Sequence, residues 1–219
     1  MSRVVITGAN RGIGLELARQ FTDRGDEVIA LVRSPSAALV DLNVEIIDGV
    51  DLSSDDLSVA ADRLGDTTID VLLNNAGVLE RTGLEDLNLP AMRRQFEVNA
   101  LGPLKVTSAL SSQLIAGSKV AHVTSRMGSV EDNSSGSHYG YRMSKAALNM
   151  AAKSMAVDLA SREISVCVLH PGYVRTDMTG HNGLIDAHES AQGLIARIDE
   201  LTLETSGGFW HQNGERLPW

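Results

Sequence analysis

The chain is short of cysteine, aromatic residues and positive charge. Among its 219 residues there is one cysteine, Cys167, so no intramolecular disulfide can form, and a lone thiol fits a reducing compartment. It sits in an apolar run, residues 164–169, where a buried core thiol is expected rather than a reactive one. Aromatics are 4% of the residues, beside 43% hydrophobic and 21% charged, an ordinary soluble composition. Nineteen Lys and Arg against 28 Asp and Glu leave a net charge of -9, which argues against nucleic acid or an anionic membrane as partner. Neither HExxH nor CxxC spacing occurs, so no metal is expected. No apolar run approaches membrane-spanning length, and Met1-Ser2-Arg3 leads straight into Val4-Val5-Ile6 with no room for a signal peptide. The expectation is a cytoplasmic protein built as one domain over residues 1–219.

What is present is an alternation of short β-branched runs with amphipathic stretches. Strands are expected at residues 4–6, 27–32, 44–47, 69–73, 119–124 and 164–169, with a last short strand near Gly207-Gly208-Phe209-Trp210. Helices are expected at residues 13–24, closed by Gly25, at 55–64, at 89–114 with Pro103 relaxing or bending it, and from Tyr141 to about residue 161. Near-continuous apolar strands alternating with helices indicate an α/β fold. The sheet would be doubly wound and mostly parallel, with helices on both faces, as in a Rossmann fold. Residues 128–137, rich in Gly, Ser and Asn, read as a mobile loop.

Between the first strand and first helix lies Thr7-Gly8-Ala9-Asn10-Arg11-Gly12-Ile13-Gly14. Its glycines permit a tight turn and close backbone approach to a pyrophosphate, whose charge the helix start favours. The second strand ends Leu31-Val32-Arg33, without the carboxylate that would bond an NAD ribose and repel a 2′-phosphate. Arg33 and Arg11 together would clamp a 2′-phosphate, so NADP(H) is preferred, with NAD(H) possible.

Tyr141 and Lys145 stand four apart on a helix, their side chains about 5–6 Å apart at the root. A free phenol has a pKa of about 10, and a fixed ammonium one turn away is expected to lower it toward working pH. Tyr141 could then exchange a proton with a carbonyl or alcohol oxygen.

The glycine turn, Asn74-Asn75-Ala76-Gly77, Asn99, Ser125, Tyr141-xxx-Lys145 and Pro171-Gly172, in that order, resemble the short-chain dehydrogenase/reductase family across essentially the whole chain. The segments Tyr139-Gly140-Tyr141-Arg142 and His170-Pro171-Gly172-Tyr173-Val174-Arg175-Thr176-Asp177-Met178, with the chain's ending, look most like its C-factor/sniffer branch, similar to carbonyl reductases. The resemblance implies that Gly8, Gly12, Ile13 and Gly14 hold a pyrophosphate, and that Asp51 and Leu52 flank an adenine. Asn75, Ala76 and Gly77 would meet the adenosine ribose, and Val174 and Thr176, after Pro171-Gly172, the nicotinamide carboxamide. It implies Tyr141 as general acid/base, Lys145 as the group that tunes it and binds the nicotinamide ribose, and Ser125 as the polariser of the substrate oxygen. Asn99 would anchor a helix irregularity and a water that relays protons from Lys145. Many family members carry the serine about a dozen residues before the tyrosine, which favours Ser129. Ser125 is preferred because it directly follows a strand. Residues 177–191 would form a short lid over a small carbonyl or alcohol substrate. The small-residue face Ala146-Ala147, Ala151-Ala152 and Ala156 would meet either a second copy, in a homodimer or homotetramer, or its own neighbours.

Overall fold

The computed structural model describes residues 1–219. Seven strands form one all-parallel sheet in the order β3-β2-β1-β4-β5-β6-β7. They are β1 (Arg3–Thr7), β2 (Glu27–Leu31), β3 (Glu45–Ile47), β4 (Ile69–Asn74), β5 (Leu114–Val123), β6 (Ser165–His170) and β7 (Gly208–His211). Alternate residues of each strand feed opposite cores. Val5, Leu72, Val120, Val166 and Phe209 enter one cluster, and Val4, Ile6, Leu73, Ala121 and Leu169 the other. The second cluster is closed by α1 (Gly12–Asp23) packed on α7 (Ala187–Asp199). Those two helices are also joined by Glu16, whose Oε1 lies 2.8 Å from His188 Nδ1.

The other face is covered by α3 (Ser58–Leu64), α4 (Leu89–Phe96), α5 (Gly102–Ala109) and α6 (Tyr139–Asp158), while the short α2 (Ala37–Val40) buries Leu39 in the second cluster. Cys167 is buried in the core, and no helix is long and apolar enough to cross a membrane.

Residues 89–114 are not the single helix that their pattern predicts. A π turn, Glu97–Leu101, separates α4 from α5, a 3₁₀ turn follows at Ser111–Gln113, and Leu114 already belongs to β5. The cause is Asn99. Its carboxamide accepts from the Val78 N–H and donates to the Val78 carbonyl, both at 2.8 Å, and donates to Ser144 Oγ at 3.0 Å. Pro103, with no N–H of its own, lets the widened turn pass into α5 without losing a bond there.

The 128–137 loop is tied down rather than loose. Arg142 donates to the carbonyls of Met127 and Gly136 and to Ser135 Oγ, while the Val130 and Glu131 N–H groups donate to the Trp219 carbonyl. On α6, Ala152 and Ala156 pack into the chain's own core. The large apolar residues exposed along that helix are Met143, Met150 and Val157.

Candidate active site

The carboxyl ends of β1, β2, β4, β5 and β6 open into one cleft of about 700 Å³, where the strand order reverses direction around β1 and β4. One end is the glycine turn. Gly8 and Gly12 have φ of 71° and 55°, a region open to glycine at little cost. A Cβ on Gly8 would lie 2.8 Å from Ala76 Cα, and one on Gly14 would collide with the Gly8 carbonyl. Asn75 braces this contact, donating from Nδ2 to the carbonyls of Thr7 and Gly8 at 3.1 and 3.2 Å. No side chain caps the start of α1, and the N–H groups of Gly12, Ile13 and Gly14 have no protein acceptor. They leave an anion cradle at the helix start.

Arg33 lines the cleft at the end of β2. Arg11 also reaches it, but its guanidinium lies 3.5 Å from Asp177, which in turn sits 3.2 Å from His181 Nε2. Asn10 serves the turn itself: its Oδ1 accepts from the Ser36 N–H and its Nδ2 donates to the Ser34 carbonyl. Asp51 accepts from the Ser53 N–H and hydroxyl, which hold its carboxyl below the usual range, and Leu52 lines the wall beside it.

At the other end are Tyr141 and Lys145, 7% and 3% exposed. Gly77 brings this centre together, since a Cβ there would be 3.3 Å from Asn99 Oδ1 and 3.5 Å from Lys145 Nζ. Burial pushes the Tyr141 phenol up to about 12, with the Ser125 hydroxyl pulling the other way. The expected lowering by Lys145 is absent. Its ammonium, 5.8 Å from the ring centre, donates to the Val123 carbonyl at 2.9 Å and is itself depressed by burial to about 8. At neutral pH the phenol therefore stays protonated, beside an ammonium that yields its proton more readily than a free lysine.

Ser125 and Ser129 are separated by their surroundings. Ser125 faces Tyr141, and its Oγ accepts only the Met127 N–H. Ser129 is 3% exposed, and its hydroxyl donates to the Trp219 carbonyl while accepting from the Asp132 N–H.

Pro171 lines the cleft, whereas Gly172 and Val174 lie behind it and shape the lid. Gly172 (φ 88°) packs on Ile185, and Val174 bridges Ile185. Thr176 closes a capping box with Thr179, and its methyl would touch a Cβ on Gly12 at 3.4 Å, so the lid lies against the glycine turn. Sequence reasoning missed Val78, Arg94 and Val98 along one wall, and Arg175; Asp177, Met178 and His181, which also line the cleft, fall in the lid expected at residues 177–191.

A phosphate cradle at a helix start, continuous through one cleft with a buried Tyr–Lys pair, defines a dinucleotide-dependent oxidoreductase site. Comparison with known proteins bears this out: the family model for short chain dehydrogenase matches residues 2–184. The chain belongs to that family of NAD(P)-dependent oxidoreductases. It is 41% identical over 226 residues to 1-hydroxy-2-glutathionyl-2-methyl-3-butene dehydrogenase of Rhodococcus sp. (strain AD45), covering 100% of both chains. To C-signal of Myxococcus xanthus it is 49% identical over 154 residues, 69% of this chain and 93% of that one. A solved carbonyl reductase from Pseudomonas aeruginosa PAO1 in complex with NADP superposes with a TM-score of 0.89 at 33% identity, covering 100% of each chain.

Proposed function

We propose that the protein reduces the carbonyl of a small molecule with NADPH, through residues 1–219 acting as one cofactor-binding unit in the cytoplasm. The buried phenol of Tyr141, kept protonated beside Ser125, carries this reading. Gly8, Gly12, Ile13 and Gly14 bind the pyrophosphate, Arg33 and Arg11 the 2′-phosphate, Asp51 and Leu52 the adenine, and Asn75, Ala76 and Gly77 the adenosine ribose. Pro171, Gly172, Val174 and Thr176 position the nicotinamide. When bound, NADPH supplies the hydride. Ser125 orients the carbonyl oxygen, and Tyr141 protonates it as charge develops. Lys145 then returns a proton to the phenolate and binds the nicotinamide ribose, with Asn99 holding the relay water. The NADP found in the P. aeruginosa carbonyl reductase supports the cofactor choice.

The same residues run the reverse oxidation, and the Rhodococcus relative is by name a dehydrogenase of a glutathionyl alcohol. The similarity to C-signal favours a second reading, an NADP(H)-binding signalling protein with little turnover. Against it stands the full Tyr141, Lys145, Ser125 and Asn99 set, of which a sensor needs only the cofactor-binding part. Aldehydes, ketones and quinones assayed with NADPH and NADH in parallel decide between them. Turnover favouring NADPH is expected; saturable NADPH binding with no oxidation across the panel would establish the sensor instead.

A further inference from the structure

Tyr141 and Ser125 have to act on one oxygen, yet they come from different elements, Tyr141 from α6 and Ser125 from the turn that follows β5. The 128–137 loop runs between them, so chain connectivity does not fix their separation. Apart from Tyr141 itself, three side chains of α6 hydrogen-bond to the end of β5 and its turn. Lys145 Nζ donates to the Val123 carbonyl at 2.9 Å, and Arg142 donates to the Met127 carbonyl at 3.3 Å. The third is Asn149, whose Oδ1 accepts from the Thr124 hydroxyl at 2.7 Å while its Nδ2 donates to the Gly128 carbonyl at 3.3 Å. Arg142 is only half-buried and shares its other donors with Ser135, Gly136 and Ser137. Lys145 is a member of the reacting group. Asn149 alone is buried and has no other duty.

Its two partners bracket Ser125. Thr124 precedes the serine, and Gly128 ends the 3₁₀ turn that Ser125 caps, its N–H donating to the Ser125 carbonyl at 2.8 Å. Gly128 also rests directly on α6, where a Cβ would lie 2.8 Å from the Lys145 carbonyl carbon and 2.9 Å from Lys145 Cβ. The turn thus sits on the helix backbone at Lys145 and is pinned one helical turn further on. Tyr141, Lys145 and Asn149 follow at four-residue spacing and share one face, with about 12 Å of helix from first to last. The Gly128 carbonyl can only accept, so Nδ2 must face it, which leaves Oδ1 for the Thr124 hydroxyl. Asn149 and Thr124 are 3% and 1% exposed, so bulk water does not compete for these bonds.

We propose that Asn149 is a positioning residue for the reduction: it docks the Ser125–Gly128 turn onto α6 and so sets where Ser125 stands relative to Tyr141 and Lys145. The proposal rests on the carbonyl-reductase reading, in which Ser125 orients the carbonyl oxygen. Asn149 is not among the residues that line the cleft, so it acts on neither substrate nor cofactor directly. Its loss reaches kcat through Ser125 and leaves NADPH binding alone.

Asn149→Ala removes both bonds, and Thr124→Val removes one while keeping the shape of the threonine. With NADPH and a carbonyl substrate turned over by the wild type, Asn149→Ala should lower kcat by about 10–100-fold, the scale of a reacting group misplaced by up to about 1 Å, with NADPH affinity within about twofold. Thr124→Val should lose less. The same changes are then made in a Ser125→Ala background. A residue that acts through Ser125 should cost less than about twofold there, whereas a merely structural residue lowers kcat by the same factor in both backgrounds. Should Asn149→Ala fail to fold, Thr124→Val carries the same comparison. Amide hydrogen exchange, followed by NMR, reads the docking without turnover: the Gly128 and Ser129 N–H groups should exchange faster in either variant, and those of the glycine turn should not. Wild-type kcat in Ser125→Ala would sink the role given to Ser125, and the exchange data would still report whether Asn149 docks the turn. Losses that multiply in the double variant, or unchanged exchange at Gly128 and Ser129, would overturn the proposal.

Discussion

Gly8→Ala and Gly25→Ala form a matched pair that tests how the glycine turn is built. Both positions have positive φ, 71° and 90°, so each alanine incurs a left-handed strain of about 1–2 kcal/mol. They differ in what the new methyl meets. At Gly25 nothing lies within 4 Å, whereas at Gly8 the Cβ would sit 2.8 Å from Ala76 Cα and 2.9 Å from Ala76 Cβ. Those atoms belong to a backbone segment braced by Asn75, so they cannot swing away as a long side chain would. Overpacking of this kind costs about 1–3 kcal/mol more. Gly25→Ala should therefore lose about 1–2 kcal/mol and Gly8→Ala about 2–5 kcal/mol, with Tm falling by about 2–4 °C per kcal/mol for a chain of this length. Urea unfolding reads the stabilities, and fluorescence titration with NADPH reads the turn. Only Gly8→Ala should weaken NADPH binding, because only there does the cradle move off Ala76. Equal stability of the two variants with wild-type NADPH affinity in both would refute the packing described for this turn.

Three further outcomes are expected. Reduction measured as kcat/KM should fall above about pH 8: the phenol stays protonated up to about 12, but the Lys145 ammonium that would resupply it under the proposed mechanism is lost near 8. A profile flat to pH 10 would remove Lys145 from the relay. Ser125→Ala should lower kcat by about 10²–10³-fold, the loss typical of a transition-state hydrogen-bond donor, with little change in Tm. Ser129→Ala should keep kcat and lose about 0.5–1.5 kcal/mol of stability, the net worth of the hydrogen bonds its hydroxyl makes; the opposite pattern in steady-state and thermal assays would reverse the two serines. Asp177→Asn should free Arg11 and raise affinity for NADPH relative to NADH by up to about fivefold, the range of an exposed ion pair. Equal changes in both cofactor dissociation constants would show that Asp177 acts only through the lid.

The strands and the glycine turn were legible because their signals are local. Val4-Val5-Ile6 followed by Thr7-Gly8 needs only its neighbours to declare a buried strand entering a phosphate turn. Asn99 was legible as a helix irregularity through the family's motif, but the extent of the break was not. It depends on Val78 and Ser144, 21 and 45 residues away, which take over the Asn99 carboxamide. The same holds for Ser129, whose hydroxyl is engaged by Trp219, 90 residues on. Helical spacing correctly placed Tyr141 over Lys145, but it could not reveal that burial outweighs the ammonium in setting the phenol's pKa. Arg11 was read as a free clamp because nothing in the sequence shows that the lid carries Asp177 back to the glycine turn. Loops that only the fold brings together hold what the sequence concealed.

Proton donation by Tyr141 is the step on which the proposed reduction turns. Tyr141→Phe removes one oxygen from a buried ring and leaves the glycine turn, Arg33 and Lys145 in place. Measured with NADPH and a carbonyl substrate turned over by the wild type, the variant should bind NADPH with unchanged affinity and show kcat reduced by at least about 10²-fold, the contribution expected of a positioned general acid. Wild-type kcat in Tyr141→Phe, with NADPH affinity intact, would rule out Tyr141 as the proton donor.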